Sequence, residues 1–584
     1  MREGEDAENQ TRFYQPSYNT GMKFNTVHQP EGAVIENNRA GTGPRRTYQA
    51  LRSNITAANI VALVGAVLVV FMLIALHEPW SIRIPLYLTV LLWTILQPRI
   101  ALYLMPFAVP WGSLDFIDIK GLRVNSADIL VAFLAIGWLM SFALRRIPSK
   151  SIGVRFTASP GPLDRARSNV PAYLVFAILA LLGVMFLSMT VATNKTESLK
   201  EISKWLEFLV LILLGTQYTR TRRQVWTIVV ITCLAGITQA LFGYIQFFFG
   251  LGPASFIRDA SLRIYGTFDQ PNPYAGYINL SLSIALALML LGSNWKTRIL
   301  AGVTVLLLAI AEFLTQSRGG EIALAAALIF IVTVGVLRLR VAVGLLSLAS
   351  LVTVAASLVG LIPIYLFDPI LTRLGLTGIS LTAPTDLTFS TAERLAHWIA
   401  GLRMFSDHPL LGVGIGNYAE AYPHYFVTIF TNPLGHAHNY YINIAAETGS
   451  IGLIAYLFFI LAIFIAGGHS YRYIARKCMQ AKLQAQASST GLQKPLMPAA
   501  SQAPGSILQP GRIEKRDITA MFTNDRALSI GLLAALIAVC VHNVFDDLYV
   551  HSLTNLIALL LLILIRLEKV TPKVGGKEDN FDYI

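Results

Sequence analysis

The sequence predicts an all-α, polytopic transmembrane helical bundle of about 12 to 14 spans, with one large and partly helical loop on a single face. Hydrophobic residues make up 54% of the 584 positions and charged residues 14%, and apolar runs recur at about 17 to 25 residues, the length of a helix that crosses the hydrocarbon core. The Lys and Arg residues, which give a net charge of +13, fall in short clusters between those runs, as positive-inside orientation requires. The segment 367–440 is too long for a plain connection and too rich in Trp, Tyr and Phe for a disordered linker.

Taken in order, residues 1–56 are polar, lack a cleavable signal pattern and are expected to form a disordered cytoplasmic tail. Apolar runs at 57–76, 84–97, 99–112, 126–144, 171–191, 204–219, 225–248, 274–293, 299–316, 321–337, 341–366, 441–466, 527–545 and 553–566 are the expected spans, so that 57–566 is the membrane domain. Pro98, Pro106 and Pro110 interrupt the second and third runs, which fit one hairpin. Loop 145–170 carries Arg145, Arg146, Lys150, Arg155, Arg165 and Arg167, and later alternate loops carry Arg220, Arg222, Arg223, Lys296, Arg298, Arg338 and Arg340. These mark the cytoplasmic side. Residues 467–526, basic with a Gln-, Ala-, Ser- and Pro-rich middle, read as a cytoplasmic linker insert, and 567–584 as a cytoplasmic C-terminal tail.

The opposite, outer face receives loops 192–203 and 249–273, a turn at 317–320, and the large loop 367–440. Within the last, Ser390 and Glu393 have capping-box spacing, and Leu395, Trp398, Ile399, Leu402 and Phe405 recur at helical period until Asp407, His408 and Pro409.

Composition excludes several classes. No separate basic domain supports nucleic-acid binding, and Cys233, Cys478 and Cys540 have neither disulfide nor metal-ligand spacing. The chain has no P-loop, HExxH or GxSxG motif, and no Asp-x-Asp pair on the outer face for a bound divalent metal. Ionisable residues within spans are few, Glu207, Glu312 and Glu447 being the clearest, and no polar track across the membrane is visible. Chemistry is therefore expected at the outer interface.

Four elements there carry it. Arg258 and Arg263 lie in IRDASLRIYGTFDQPNPYAGY, whose Gly266, Pro271 and Pro273 imply a fixed path. Arg318 lies in TQSRGGE, where Gly319 and Gly320 are expected to let the backbone turn tightly. Arg394 sits in the first turn of the loop helix, and His436 and His438, followed by Asn439, precede the helical run YYINIAAETG. Guanidinium forks suit phosphate oxygens, and an imidazole near a helix N-terminus is biased toward its neutral, basic form. Lys195, Lys200 and Arg403 read as solvated or headgroup charges. Gly412, Gly414 and Gly416 in LLGVGIGN offer a weaker signal, a backbone nest for an anion.

The runs LTQSRGGEIALA, TAERLAHWIAGLRMFSDHPLLGVGIGNYAEAY and HAHNYYINIAAETGSIGLIAYL, in this order, resemble the O-antigen ligase and polymerase superfamily. RIYGTFDQPNPYAGYI is similar to the superfamily's preceding outer loop and VHNVFDDLY to a late element. The resemblance covers 200–566 and is strongest over 299–460. It implies a GT-C-like, metal-independent and inverting membrane glycosyltransferase without a cofactor. The enzyme would move a glycan from a polyprenyl diphosphate carrier to a hydroxyl of a lipid or glycan acceptor at the periplasmic or extracellular face of the inner or plasma membrane. Carried onto this chain, it implies His438 as general base, Arg263 and Arg318 on the donor diphosphate, and Arg258, Arg394, His436 and Asn439 as substrate contacts. The spacing from His438 and Asn439 to Gly449 and Gly452 is similar to that of ligases. The tail 1–56 and the insert 467–526 are atypical, and polymerases and chains described as bicarbonate transporters share the superfamily. Ligase, polymerase and transporter thus remain as alternatives.

Overall fold

The structure is a computed structural model that describes residues 80–143, 170–489 and 515–571, apart from 115, 120–121, 259–260, 337, 362, 374–376 and 386–387. The expected span 57–76, most of loop 145–170 and both terminal tails lie outside the described residues. What is described is helical, with two short hairpins.

Helices α1 (Trp80–Leu96) and α2 (Arg99–Trp111) are followed by a hairpin of β1 (Phe116–Ile119) and β2 (Leu122–Asn125), then α3 (Ser126–Ala143). Next come α4 (Ala172–Ser188), α5 (Lys195–Tyr218) and α6 (Arg222–Phe249), and a second hairpin of β3 (Ile257–Arg258) and β4 (Ser261–Leu262). Four spans then follow in succession: α7 (Pro271–Leu291), α8 (Trp295–Thr315), α9 (Arg318–Gly335) and α10 (Arg340–Leu358). The large loop holds α11 (Asp368–Arg373), α12 (Phe389–Asp407) and α13 (Tyr418–Ala421), and the chain ends through α14 (Tyr440–Ser489), α15 (Lys515–His542) and α16 (Leu553–Val570).

Eight of these helices are long and apolar enough to cross a membrane, and α1 and α3 contain shorter apolar stretches. Together they make a multi-pass membrane protein. Apolar α7 is enclosed by α8, α9 and α15, whereas no residue of Arg340–Ser357 is buried. In lipid such exposure is ordinary, because acyl chains solvate an apolar helix as well as protein does.

Polar residues set the helix starts. Asn194 caps α5 by accepting from the N–H groups of Thr196 and Glu197, Thr221 and Gln224 form a reciprocal capping box on α6, and Asn294 accepts from Thr297 N–H to start α8. Three expectations change. Helix α5 begins at Lys195 rather than 204, because the polar turn KTESLKEISK is helical under its Asn194 cap. Helix α12 starts earlier than expected, with Thr388 at its N-cap and no side-chain cap bond; the turn Thr385–Thr388 initiates it, so Ser390 lies inside the helix and the Ser390–Glu393 box does not form. Both ends of the expected linker 467–526 are helical, and Cys478 and Ala481 of α14 pack on Phe522 of α15. A polar cluster also joins α3, α5 and α16: Asn555 Nδ2 donates to Glu207 Oε2 at 2.7 Å, and Ser552 Oγ to Asp128 Oδ1 at 2.8 Å.

Helix α14 is broken at Gly449, whose φ of 67° and ψ of −165° are non-helical. The break frees the carbonyls of Ala446 and Glu447, which accept from the N–H groups of Val413 and Gly414, at 2.9 and 3.0 Å. Ser188 Oγ also donates to the Glu447 carbonyl, at 2.8 Å. Gly412, Gly414 and Gly416 all have positive φ, and backbone N–H groups of Gly416 and Tyr418 donate to the Glu447 carboxylate. The glycine run therefore does form a nest of N–H donors, but what fills it is the protein's own Glu447 side chain and not a bound anion.

Candidate active site

Two loops and three helix starts meet at one end of the bundle. The loop that carries Arg263 is held by Gln246, which donates to Gly266 O at 2.7 Å and accepts from Tyr265 N and Gly266 N at 3.2 and 2.9 Å. Gly266, at φ 56°, has Tyr274 and Gln239 side chains where a Cβ would stand. This fixed path lets Arg263 Nε donate to Thr315 O at 2.9 Å and Arg263 Nη2 to Asn272 Oδ1 at 3.3 Å.

Asn272 is the hub. Its Oδ1 also accepts from Ser317 Oγ at 3.0 Å, and its Nδ2 donates to Asp546 Oδ2 at 2.7 Å. The other oxygen, Asp546 Oδ1, lies 3.3 Å from His438 Nδ1. A line of hydrogen bonds thus runs Arg263, Asn272, Asp546, His438 through residues from three separate stretches of chain.

Arg318 is the first residue of α9, after a turn made by Gln316 at φ 50° and capped by Ser317 Oγ. The expected role of the glycines changes accordingly. Gly319 and Gly320 are helical and small for packing: a Cβ on Gly320 would stand 2.8 Å from Ala275 Cβ, and one on Gly319 3.1 Å from Phe545 Cβ. Arg318 Nη1 approaches Thr391 Oγ1 at 3.4 Å, one turn before Arg394. The Nε of Arg394 is buried without a partner among the described residues.

Arg258, Arg318 and Arg394 all act electrostatically on Arg263. Burial first, and then those three charges, pull its guanidinium down to about 10, only partly offset by Asp546. It remains charged at neutral pH. Asp546 is the carboxylate bonded at the centre, while Glu321 acts on Arg318 and Glu393 lies beside Arg394 and His438, so the four arginines outnumber the acids that face them.

His438 is held in the left-handed region at φ 52°, uncommon for a residue with a side chain and a known reservoir of local strain. Trp398 Nε1 donates to its carbonyl at 3.2 Å, and its own N–H donates to His436 Nδ1 at 3.0 Å. Helix α14 begins two residues later, with Asn439 as its cap: the Asn439 side-chain oxygen accepts from Tyr441 N and Ile442 N at 3.0 and 3.1 Å. That oxygen is therefore committed to the backbone. Burial would raise the Asp546 carboxyl, but the His438 hydrogen bond, His438, His436 and Arg394 together hold it well below the usual carboxylate range. An ionised Asp546 can only accept, so His438 carries a proton on Nδ1, and in the neutral imidazole the lone pair is then on Nε2. Nε2 makes no hydrogen bond among the described residues.

Burial depresses His436 to about 3, with His438 second among the causes. It depresses His397 to about 4, again with His438 second. His397 is fully buried, stacks on Tyr422 with ring centroids 4.5 Å apart and meets His438 edge-on at 5.7 Å. The neighbouring Asp547 goes the opposite way from Asp546: burial raises it to about 7, with Lys204 opposing and Glu201 reinforcing.

Donor atoms of His436, His438 and Asp546 lie within 4.8 Å of one another, near enough for one small cation. The chemistry fits a metal poorly. His436 Nδ1 accepts from a backbone N–H, so its ring proton sits on Nε2, the atom that lies 3.8 Å from Asp546, and a protonated nitrogen has no lone pair to give.

Residues 303–457 match the family model described as O-antigen ligase. No curated protein matches the chain. The match to the O-antigen ligase family supports a membrane glycan-transfer enzyme, and the matched segment carries Arg318, Arg394, His436 and His438. Arg258, Arg263, Asn272 and Asp546 lie outside it, brought to the same place by the fold. Asp546, Asn272 and His397 were not singled out from the sequence. The first two lie in VHNVFDDLY and RIYGTFDQPNPYAGYI, where a polar residue in a short loop between apolar spans was the available signal.

Proposed function

We propose that this protein transfers a glycan from a polyprenyl diphosphate carrier to an acceptor hydroxyl, in the manner of an O-antigen ligase. The observation that carries this reading is the line from Arg263 through Asn272 and Asp546 to His438, which ties a phosphate-suited cation to an oriented base. In the reaction, His438 Nε2 takes the proton of the acceptor hydroxyl, whose oxygen attacks the anomeric carbon. The bond from that carbon to the diphosphate oxygen breaks, and polyprenyl diphosphate leaves. Arg263 and Arg318, with Arg258 and Arg394 beside them, stabilise the charge that grows on the leaving diphosphate. Asp546 keeps the proton on Nδ1 and stabilises the imidazolium as it forms.

A single displacement inverts the anomeric carbon. Arg394, with a buried and unpartnered Nε, is suited to a substrate oxygen, whereas His436 and Asn439 support the loop geometry. No metal takes part in this scheme. Positive-inside orientation supports a site on the periplasmic or extracellular face, because the clusters at Arg220, Arg298 and Arg338 lie on the alternate loops.

The test is reconstitution with a polyprenyl diphosphate-linked oligosaccharide and a lipid acceptor. Release of polyprenyl diphosphate with one glycan block joined per acceptor supports the ligase, a ladder of repeats would move the assignment to a polymerase, and no transfer to any acceptor would overturn it.

A further inference from the structure

At the far end of the bundle from His438 lies a cation that this chemistry does not use. Arg566 of α16 is 6% exposed. Its Nε is buried without a partner, and no hydrogen bond or ion pair reaches its guanidinium among the described residues. A buried, unpaired guanidinium at membrane depth is costly and calls for an anion.

The acids near this end are already engaged. Arg222 takes both oxygens of Asp525, at 2.7 to 3.0 Å, with Trp226 Nε1 on the same carboxylate. Glu568 accepts from Ser470 Oγ at 3.0 Å and pairs with His469 and Lys569. The charge that acts on Arg566 is another cation, Arg220.

The position is defined by packing. Leu562 lies where a Cβ on Gly215 would stand, with Leu102 beside it. Arg566 is four residues on, so it continues the same face of α16 one turn toward the end of the bundle. There α5 ends, α6 begins and α2 begins, and α2 has Pro98 at its N-cap and no side-chain cap bond. Arg566 is about 6 Å short of the end of α16 at 1.5 Å per residue, the depth at which a long side chain reaches lipid headgroups.

We propose that Arg566 anchors the phosphate of an anionic membrane lipid in the leaflet opposite the active site, flanked by Arg220 and the first turn of α2, which has no side-chain cap and whose Ile100 N–H is taken by Gln97 O. A guanidinium fork matches phosphate oxygens in pairs, and a helix start adds N–H donors of the right sign. The lipid would then wedge α2, α5, α6 and α16 together from the side away from the chemistry.

The experiment uses the full chain in nanodiscs of phosphatidylcholine alone, of phosphatidylcholine with phosphatidylglycerol, and of phosphatidylcholine with added inorganic phosphate. Thermal unfolding and native mass spectrometry of retained lipid are the readouts. Phosphatidylglycerol should stabilise the native protein and remain bound, and Arg566→Gln should weaken its retention about 10-fold. Arg566→Lys should keep part of the effect, and Arg298→Gln, an exposed cation near the α7–α8 turn, should keep all of it. Equal lipid responses in the native protein and Arg566→Gln would overturn the proposal. So would a response to inorganic phosphate as large as that to the lipid, which would make the ligand a free anion. If Arg566→Gln does not fold, competition between the two lipids on the native protein and Arg566→Lys decides in its place, and no preference for the anionic lipid overturns the proposal.

Discussion

Asp546 Oδ1 sits 3.3 Å from Nδ1 of His438, a residue 108 positions earlier in the chain, and the second Asp546 oxygen is held by Asn272 at 2.7 Å. The carboxylate is fixed from both sides, so its orientation and that of the imidazole are set together. Asp546→Asn preserves shape and leaves Asn272 an acceptor, but removes the charge that fixes the tautomer. Transfer should fall by about 10²- to 10⁴-fold with little change in apparent donor affinity. Steady-state kinetics that show instead a raised KM with kcat unchanged would place Asp546 in binding.

The arginines should respond to shape as well as charge. Arg263 already spends Nε on Thr315 O and Nη2 on Asn272, contacts that a lysine cannot reproduce in parallel. Arg263→Lys and Arg318→Lys should each lower kcat/KM by about 10-fold or more. Full activity in both lysine variants would mean that only net charge matters there.

Acid should destabilise the fold through its buried histidines. His397 and His436 are depressed to about 4 and about 3 from 6.5. Between those values and 6.5 the unfolded chain binds protons that the folded chain does not, so stability is fully present above about 6.5 and is lost as pH falls toward 4. The slope is at most about 1.4 kcal/mol per pH unit for each group. His397→Phe, which keeps the stacking on Tyr422, should flatten this limb in thermal unfolding between pH 7 and pH 4. An unchanged slope would remove His397 from the account.

The break in α14 should tolerate no side chain. Gly449 has φ 67°, and a Cβ there would stand 2.2 Å from the Leu410 carbonyl carbon. Gly449→Ala should cost about 3 kcal/mol or more, since left-handed strain and a backbone clash add. A midpoint of unfolding within a degree of the native protein would show that the break can relax.

Much of this arrangement was legible in the sequence, for identifiable reasons. Hydropathy located the apolar spans that fall within the described residues, because a bilayer demands long apolar helices. It missed the first turns of α5 and the extension of α14 to Ser489, which are helical but polar and so carry no hydropathy signal. Arg318, Arg394 and His438 stood out as polar residues beside punctuating glycines and helix starts. Asp546 and Asn272 did not, since a single carboxylate or amide in a short loop has no period and no spacing. Only the folded chain reveals what they face. The glycines 412, 414 and 416 suggested a backbone nest, but nothing in their spacing could indicate that the Glu447 side chain fills it in place of a bound anion.

Orientation can be tested independently of chemistry. Arg403 on α12 is exposed, so Arg403→Cys in intact cells should react with a membrane-impermeant thiol reagent. Reaction at this position only after lysis would put the site on the cytoplasmic side.

The most direct test is transfer from a polyprenyl diphosphate-linked glycan by the reconstituted protein carrying His438→Ala, compared with the native chain under chelator. The native protein should work undiminished in chelator, and His438→Ala should lose about 10²-fold or more of the activity while remaining folded. Full transfer by a folded His438→Ala protein would contradict the role of His438 as general base.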